Sequence, residues 1–123
     1  MGELTEDGYQ TLRDYANSDK TNPPSWDYIE IYDSSTSAIT RVSVTGDPRC
    51  TWKDIDGDKT LQVEFEATGS DSDIALPVSI EYAAIWNAAS GGTQITQKEQ
   101  MPSARFNQDG DNVVITHNIN IPQ

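Results

Sequence analysis

The chain is poor in the residues that staple, anchor or catalyse. It has one cysteine, Cys50, among 123 residues, so no disulfide can close within it. A lone cysteine is most often a small buried hydrophobe. A reactive thiol needs nearby positive charge, and only Arg49 and Lys53 flank this one. With a single histidine as well, too few nitrogen and sulfur ligands exist for a zinc site. No run approaches the roughly 18–20 apolar residues of a membrane-spanning helix. Met1-Gly2-Glu3-Leu4 carries neither the basic stretch nor the apolar run of a secretory signal, and Glu6 stands where a myristoylation pattern wants Ser or Thr. The expectation is therefore synthesis in a cytoplasm without export or lipidation. Basic residues are scarce too: 8 Lys and Arg against 20 Asp and Glu, a net charge of −12. Nucleic acids and anionic membranes bind through Lys and Arg that replace counterions, so neither is expected as a partner.

What is present is enough for a folded core. Three Trp, five Tyr and two Phe supply large apolar area, and the length suits a single domain spanning 1–123. Acidity with few aromatics would indicate disorder; here the aromatics and the strand patterns point to a folded domain with a carboxylate-rich surface. Such a surface suits high salt, because at 1 M the Debye length is about 3 Å and self-repulsion is screened. An ordinary acidic protein is the alternative.

The periodicity begins helical and then becomes that of strands. Thr5 is a candidate N-cap, Glu6 and Asp7 lie where negative charge meets the positive helix end, and Leu4 and Tyr9 stand at hydrophobic-staple positions. Leu12 and Ala16 continue that face, although Gly8 weakens the helix. Residues 17–25, ending Asn22-Pro23-Pro24-Ser25, read as a loop leading into the β domain. Strands are expected at 26–32, 41–44, 50–53, 60–67, 78–86, 93–100 and 113–121, separated by Gly, Asp, Asn and Pro turns. Leu61, Val63, Phe65 and Ala67 alternate with polar residues, as do Val113, Ile115, His117, Ile119 and Ile121. Val78, Ile80, Tyr82, Ala84 and Trp86 are assigned to one face. The fold class is all-β, an antiparallel β-sandwich or jelly roll of about seven strands with a short N-terminal helix.

The candidate sites are sparse. His117 sits in the inward phase of an apolar strand and reads as a core or interface histidine whose nitrogens are satisfied by neighbours. Catalysis would require a nucleophile and an orienting acid around it. Asp54, Asp56 and Asp58 form the best cation loop, with Asp71-Ser72-Asp73 and Asp109-Gly110-Asp111 as similar clusters, since calcium wants six to eight oxygens. The EF-hand spacing is absent, and Asp and Gly are also what tight turns use. No cofactor is expected beyond that structural calcium or other cation. No spacing singles out a carboxylate pair for glycoside hydrolysis. Trp26, Tyr28, Tyr32, Trp52 and Trp86 are candidates for a sugar-binding face, or simply core. In the polar segment 97–111, Met101 and Phe106 lack periodic partners and are the candidate subunit-contact residues.

Three stretches also resemble a group of small virion proteins of tailed viruses. They are Asp73-Ile74-Ala75-Leu76-Pro77-Val78-Ser79-Ile80, Ala84-Ile85-Trp86-Asn87-Ala88-Ala89-Ser90-Gly91-Gly92-Thr93 and Asp109-Gly110-Asp111-Asn112-Val113-Val114-Ile115-Thr116. Tyr28-Ile29-Glu30-Ile31-Tyr32 matches the group's aromatic-flanked strand, and the order holds over roughly residues 4–121. Ala83-Ala84 departs from the glycine the group often has before its apolar pair. The resemblance implies a non-enzymatic structural protein of the virion, made in the host cytoplasm. It would be an oligomeric capsid decoration or turret subunit contacting its own copies and other virion proteins such as the major capsid protein. A tail-fibre or tail-tip sandwich binding a host receptor or glycan is the alternative. Together with the acidity it implies a haloarchaeal host. No catalytic residues come with the resemblance.

Overall fold

The computed structural model describes residues 3–16, 26–55, 60–74, 76–106 and 111–120. One helix, α1 (Glu6–Ala16), precedes seven strands: β1 (Tyr28–Tyr32), β2 (Ala38–Ser43), β3 (Cys50–Ile55), β4 (Thr60–Thr68), β5 (Val78–Trp86), β6 (Glu99–Phe106) and β7 (Asn112–Asn120). They form two antiparallel sheets, ordered β2-β1-β5-β6 and β3-β4-β7. β1–β2, β3–β4 and β5–β6 pair as sequence neighbours, while the chain passes between sheets after β2, β4 and β6. The all-β sandwich is thus the architecture.

The core lies between the sheets. Ile29, Ile31, Ile80, Ala83 and Ile85 face it from the four-stranded sheet, and Val63, Phe65, Ala67, Ile115 and Ile119 from the other. Seven of these ten are large side chains at 0–3% exposure other than Val63 and the alanines, and each buried residue of that size stabilises the fold by about 1.5–3 kcal/mol. The alternation read along β4 and β7 holds: Phe65 pairs with Ile115 and Leu61 with Ile119, while Gln62, Glu64 and Glu66 point away.

β5 departs from strict alternation. Its pairing with β6 shifts between Ile80 and Tyr82, where β6 carries extra residues. Extra residues in a ladder bend the strand and re-aim side chains. Ile80 therefore shares the core with Ala83 and Ile85, while Tyr82, Ala84 and Trp86 oppose Tyr32, Glu30 and Tyr28 on the outer face. The single face expected for residues 78–86 is two faces joined at this irregularity.

α1 begins as its sequence suggests. Thr5 Oγ1 accepts the Gly8 N–H at 3.0 Å, as an N-cap should. Leu4 is 2% exposed and Tyr9 37% exposed. Leu4 sits opposite Thr96, in a short strand-like contact between residues 3–5 and 94–97.

Candidate functional site

The interior polar centre is built on His117. β7 turns it inward between Ile115 and Ile119, and it is fully buried. Its Nδ1 lies 2.6 Å from Glu99 Oε1, at the start of β6, and its Nε2 lies 3.0 Å from Thr96 Oγ1. Thr96 Oγ1 also accepts the Ile85 backbone N–H at 2.9 Å. The Glu99 carboxylate only accepts, so Nδ1 carries its hydrogen toward Glu99, while the Thr96 hydroxyl, with one hydrogen and two lone pairs, serves Nε2 as either donor or acceptor. The Asn118 N–H adds a bond to the same Glu99 oxygen at 3.2 Å. Burial raises the Glu99 pKa, but the hydrogen bond from His117, its charge and the Asn118 amide outweigh that and hold the carboxyl below its ordinary value.

The connectivity of acid, imidazole and hydroxyl is that of a hydrolytic triad. Its surroundings are not. Thr96 and His117 are both 0% exposed, and the hydroxyl that would attack is committed to Ile85 and His117. What the arrangement does in this conformation is tie β7 of one sheet to β6 and the 94–97 segment beside the other. The satisfied core histidine read from the sequence is what the structure contains.

A second centre gathers around Arg49. Its guanidinium meets Asp47 through Nε and Nη2 (3.0 and 2.7 Å), Asp73 through Nη1 and Nη2 (3.0 and 2.9 Å) and Asp71 through Nη1 (2.9 Å). It also lies 4.8 Å from the centroid of the Phe65 ring. Such forked pairs are the stronger ion pairs because both carboxylate oxygens are used. The Arg49 hydrogen bonds hold Asp47 and Asp73 below the usual carboxylate range. For Asp71, burial works upward but is outweighed by the Thr68 amide and Arg49. Thr40 Oγ1 donates to Asp73, and Thr68 to Asp71. The Asp71-Ser72-Asp73 cluster, one of the calcium candidates, thus spends its carboxylates on an arginine, pinning the β2–β3 and β4–β5 connections together.

The preferred cation loop lies outside the described residues: Asp56 and Asp58 entirely, and Asp54 in all but its backbone in β3. Among the described residues no group of three or more His, Cys, Asp or Glu side chains is arranged around a metal position. Met101 and Phe106 lie in β6, an edge strand, and their side chains lie outside what is described.

The aromatic candidates divide. Tyr28, Tyr32 and Trp86 share the outer face of the four-stranded sheet. Trp26 instead joins the core and donates from Nε1 to Thr11 Oγ1, and Trp52 packs against that core. On the outer face the rings are already engaged. Arg41 stacks 4.0 Å over Trp86, Lys98 lies 4.4 Å over Tyr32, and Trp86 Nε1 donates to the Tyr32 hydroxyl at 2.8 Å. Burial and a bond with Glu30 push the Tyr32 hydroxyl pKa well up. Arg41 also donates to Glu30 and to the Ala88 and Gly91 carbonyls, which clips the Asn87–Thr93 turn onto this face. Gly91 and Gly92 both have positive φ, and a side chain at Gly92 would collide with Asn87 and Ala88, so the turn needs its glycine there.

Cys50 is half-buried, and burial together with Asp47 pushes its thiol up to about 12. Sequence reading missed both Glu99 and Arg49 as partners. The usable signal for Glu99 was the inward histidine itself, which demands a polar partner from another element. No protein-family model, curated protein or solved structure matches this chain.

Proposed function

We propose that the protein is a non-enzymatic structural component of a tailed-virus particle, an oligomeric capsid-surface decoration or turret subunit adapted to high salt. The observation that carries the proposal is the open sandwich. β2 and β6 end one sheet and β3 and β7 end the other, and β6 and β7 are eight and nine residues long. Long strand edges invite pairing with another chain unless they are covered. In a building block neighbours supply that cover, and β6 holds the expected contact residues Met101 and Phe106. The net charge of −12 keeps copies apart at low salt and permits contact where the Debye length is short. Its partners would be its own copies and the major capsid protein.

The tail-tip alternative would use Tyr28, Tyr82 and Trp86 to stack on glycans. Arg41 and Lys98 already occupy ring faces of Trp86 and Tyr32, which leaves less flat aromatic surface for sugar and favours the decoration reading.

Sedimentation of the purified protein between low and molar KCl tests the proposal. A defined ring or trimer at high salt, together with binding to capsid shells, is the expected result. A monomer at every salt concentration would sink it, and specific glycan-array binding lost on Trp86→Ala would transfer support to the tail-tip reading.

A further inference from the structure

We infer that the outer edge of β7 pairs antiparallel with the same edge of a second copy, about a two-fold axis at Val114. The inference rests on the oligomeric reading above and names the surface through which copies meet.

The ladder between β4 and β7 fixes which β7 groups face outward. The Gly69 N–H donates to Asp111 O at 2.7 Å, so odd-numbered residues of β7 spend their backbone groups on β4. Hydrogen-bonded and non-hydrogen-bonded pairs alternate along such a ladder. The N–H and C=O groups of Asn112, Val114, Thr116 and Asn118 therefore point away from β4, along the open edge. Asn118 agrees, since its N–H reaches Glu99 Oε1 at 3.2 Å. That bond closes one end of the row. Among the described residues nothing bonds to the outward groups of Asn112, Val114 or Thr116.

Four strands end the two sheets, and the other three carry what keeps edges apart. β2 holds Arg41, β3 holds Lys53 and Asp54, and β6 holds Glu99, Pro102 and Arg105. Charges and proline on an edge strand discourage pairing. β7 has no Asp, Glu, Lys, Arg or Pro in its nine residues, within a chain of net charge −12. At the centre of its free row stands Val114, 53% exposed. Such an edge fits a partner strand that is equally neutral and offers an apolar side chain at the same place. A second copy supplies both.

The register follows from the free row. A two-fold at its midpoint sets Val114 against Val114 of the second copy, and Asn112 against Thr116 on either side. Each opposed pair exchanges two backbone bonds. Both Val114 side chains lie on the outer face, next to Glu66 of β4, and cover each other. The Glu66 residues of the two copies stand three strand spacings apart, roughly 14 Å, so their repulsion is felt at low ionic strength and screened at molar salt. A two-fold contact is isologous. Within the structural reading it selects a ring built from dimers over a trimer.

The test uses the full chain in a Cys50→Ser background. Val114→Cys puts two cysteines directly opposite, with Cα atoms about 5.5 Å apart and within disulfide range. Oxidised at molar KCl, it should give covalent homodimer as the main product, with a lower yield at low salt. Asn112→Cys and Thr116→Cys should each stay largely uncrosslinked alone and form heterodimer when mixed. Val114→Lys, a change at an exposed position, should keep the wild-type urea midpoint at low salt and lose the association at high salt. Equal homodimer yields from all three single-cysteine chains would overturn the inference. Oligomers at molar KCl that are trimers, or that persist in Val114→Lys, would overturn the β7 contact and leave the structural role standing. A monomer at every salt concentration would overturn both and leave the edge to a strand of another protein.

Discussion

His117 Nδ1 and Glu99 Oε1 stand 2.6 Å apart across the seam where β7 of one sheet passes β6 of the other. The two strands share no ladder there, and this pair, the Asn118 N–H to the same Glu99 oxygen and the Thr96 hydroxyl make polar links across the seam. Removing one partner of a buried pair leaves the other without its hydrogen bond, which costs about 3–5 kcal/mol for ionic pairs. Glu99→Ala should therefore lower stability by about 3 kcal/mol in urea unfolding, through both the lost bond and the bared imidazole. Glu99→Gln keeps an acceptor for Nδ1–H and should cost clearly less. Equal losses for the two variants would show that packing, not the hydrogen bond, is what Glu99 contributes.

Acid should unfold the protein through a small set of carboxyls. Glu99, Asp47, Asp71 and Asp73 are all held below their ordinary pKa values in the fold. A carboxyl with a depressed native pKa binds its proton more readily in the unfolded chain. Its contribution is present in full above the unfolded value of about 4 and is lost as pH falls through the folded value. Urea midpoints should be flat from pH 7 to about 5 on this account and drop steeply below about 4. Arg49→Met removes the common partner of the three aspartates and should make that drop shallower while lowering stability at neutral pH. An unchanged slope would place the acid sensitivity outside the Arg49 cluster.

How much of this was readable beforehand differs by element. β4 and β7 were legible because each buries one face of an unbroken strand, so the period of two survives in Leu61–Ala67 and Ile115–Ile119. The return strand expected at 93–100 starts as a bridge between Gln94 and Trp86, is interrupted where residues 95–97 bond to Glu3 and Thr5, and becomes β6 only at Glu99–Phe106. Pro102 lies within that strand, which an edge position tolerates and a central one does not. The two polar centres were hidden for a different reason. Arg49 is 22 and 24 residues from Asp71 and Asp73, and Glu99 is 18 from His117. No local pattern encodes such pairs; only the passage of the chain between sheets brings them together.

Arg41 should act as the catch of the Asn87–Thr93 turn. It serves two carbonyls of the turn, Glu30 and the Trp86 face at once. Arg41→Lys retains the charge but not the planar fork that reaches several acceptors. Hydrogen exchange at residues 87–93 should accelerate several-fold in Arg41→Lys and Arg41→Ala alike, with Trp86 fluorescence shifted to the red, while β4 and β7 amides stay protected. Unchanged protection in the turn would mean that Asn87, whose side chain accepts from Thr93 N at 2.7 Å, suffices alone.

Cys50 should be inert in the fold. Its thiol is pushed up to about 12 by burial, so at pH 8 almost none is the reactive thiolate. A disulfide-exchange reagent such as DTNB should label it slowly in the native protein and at once in 6 M guanidinium, chosen as a denaturing condition. Rapid native labelling would show that the β3 edge opens.

Gly8 carries the sharpest local expectation. In the sequence it only weakens a helix, since glycine costs about 1 kcal/mol relative to alanine in a helix interior. In the fold it is the point where α1 lies flush with the chain: a Cβ at this position would strike the Ile95 carbonyl oxygen and crowd Leu4. Backbone is what it meets, so no side chain can rotate away. Gly8→Ala must therefore move α1 outward, which strains the Thr5 bond to Ile95 and unseats Leu4 from its buried position opposite Thr96. Helix propensity alone predicts stabilisation; the contact predicts a loss of about 1–3 kcal/mol, as for other overpacked sites. The opposite signs make the measurement decisive. A lower urea midpoint for Gly8→Ala, with faster hydrogen exchange at Thr5 and Gln97, would place the close approach at the root of α1 docking. A higher midpoint would mean that α1 docks loosely and that the glycine is dispensable.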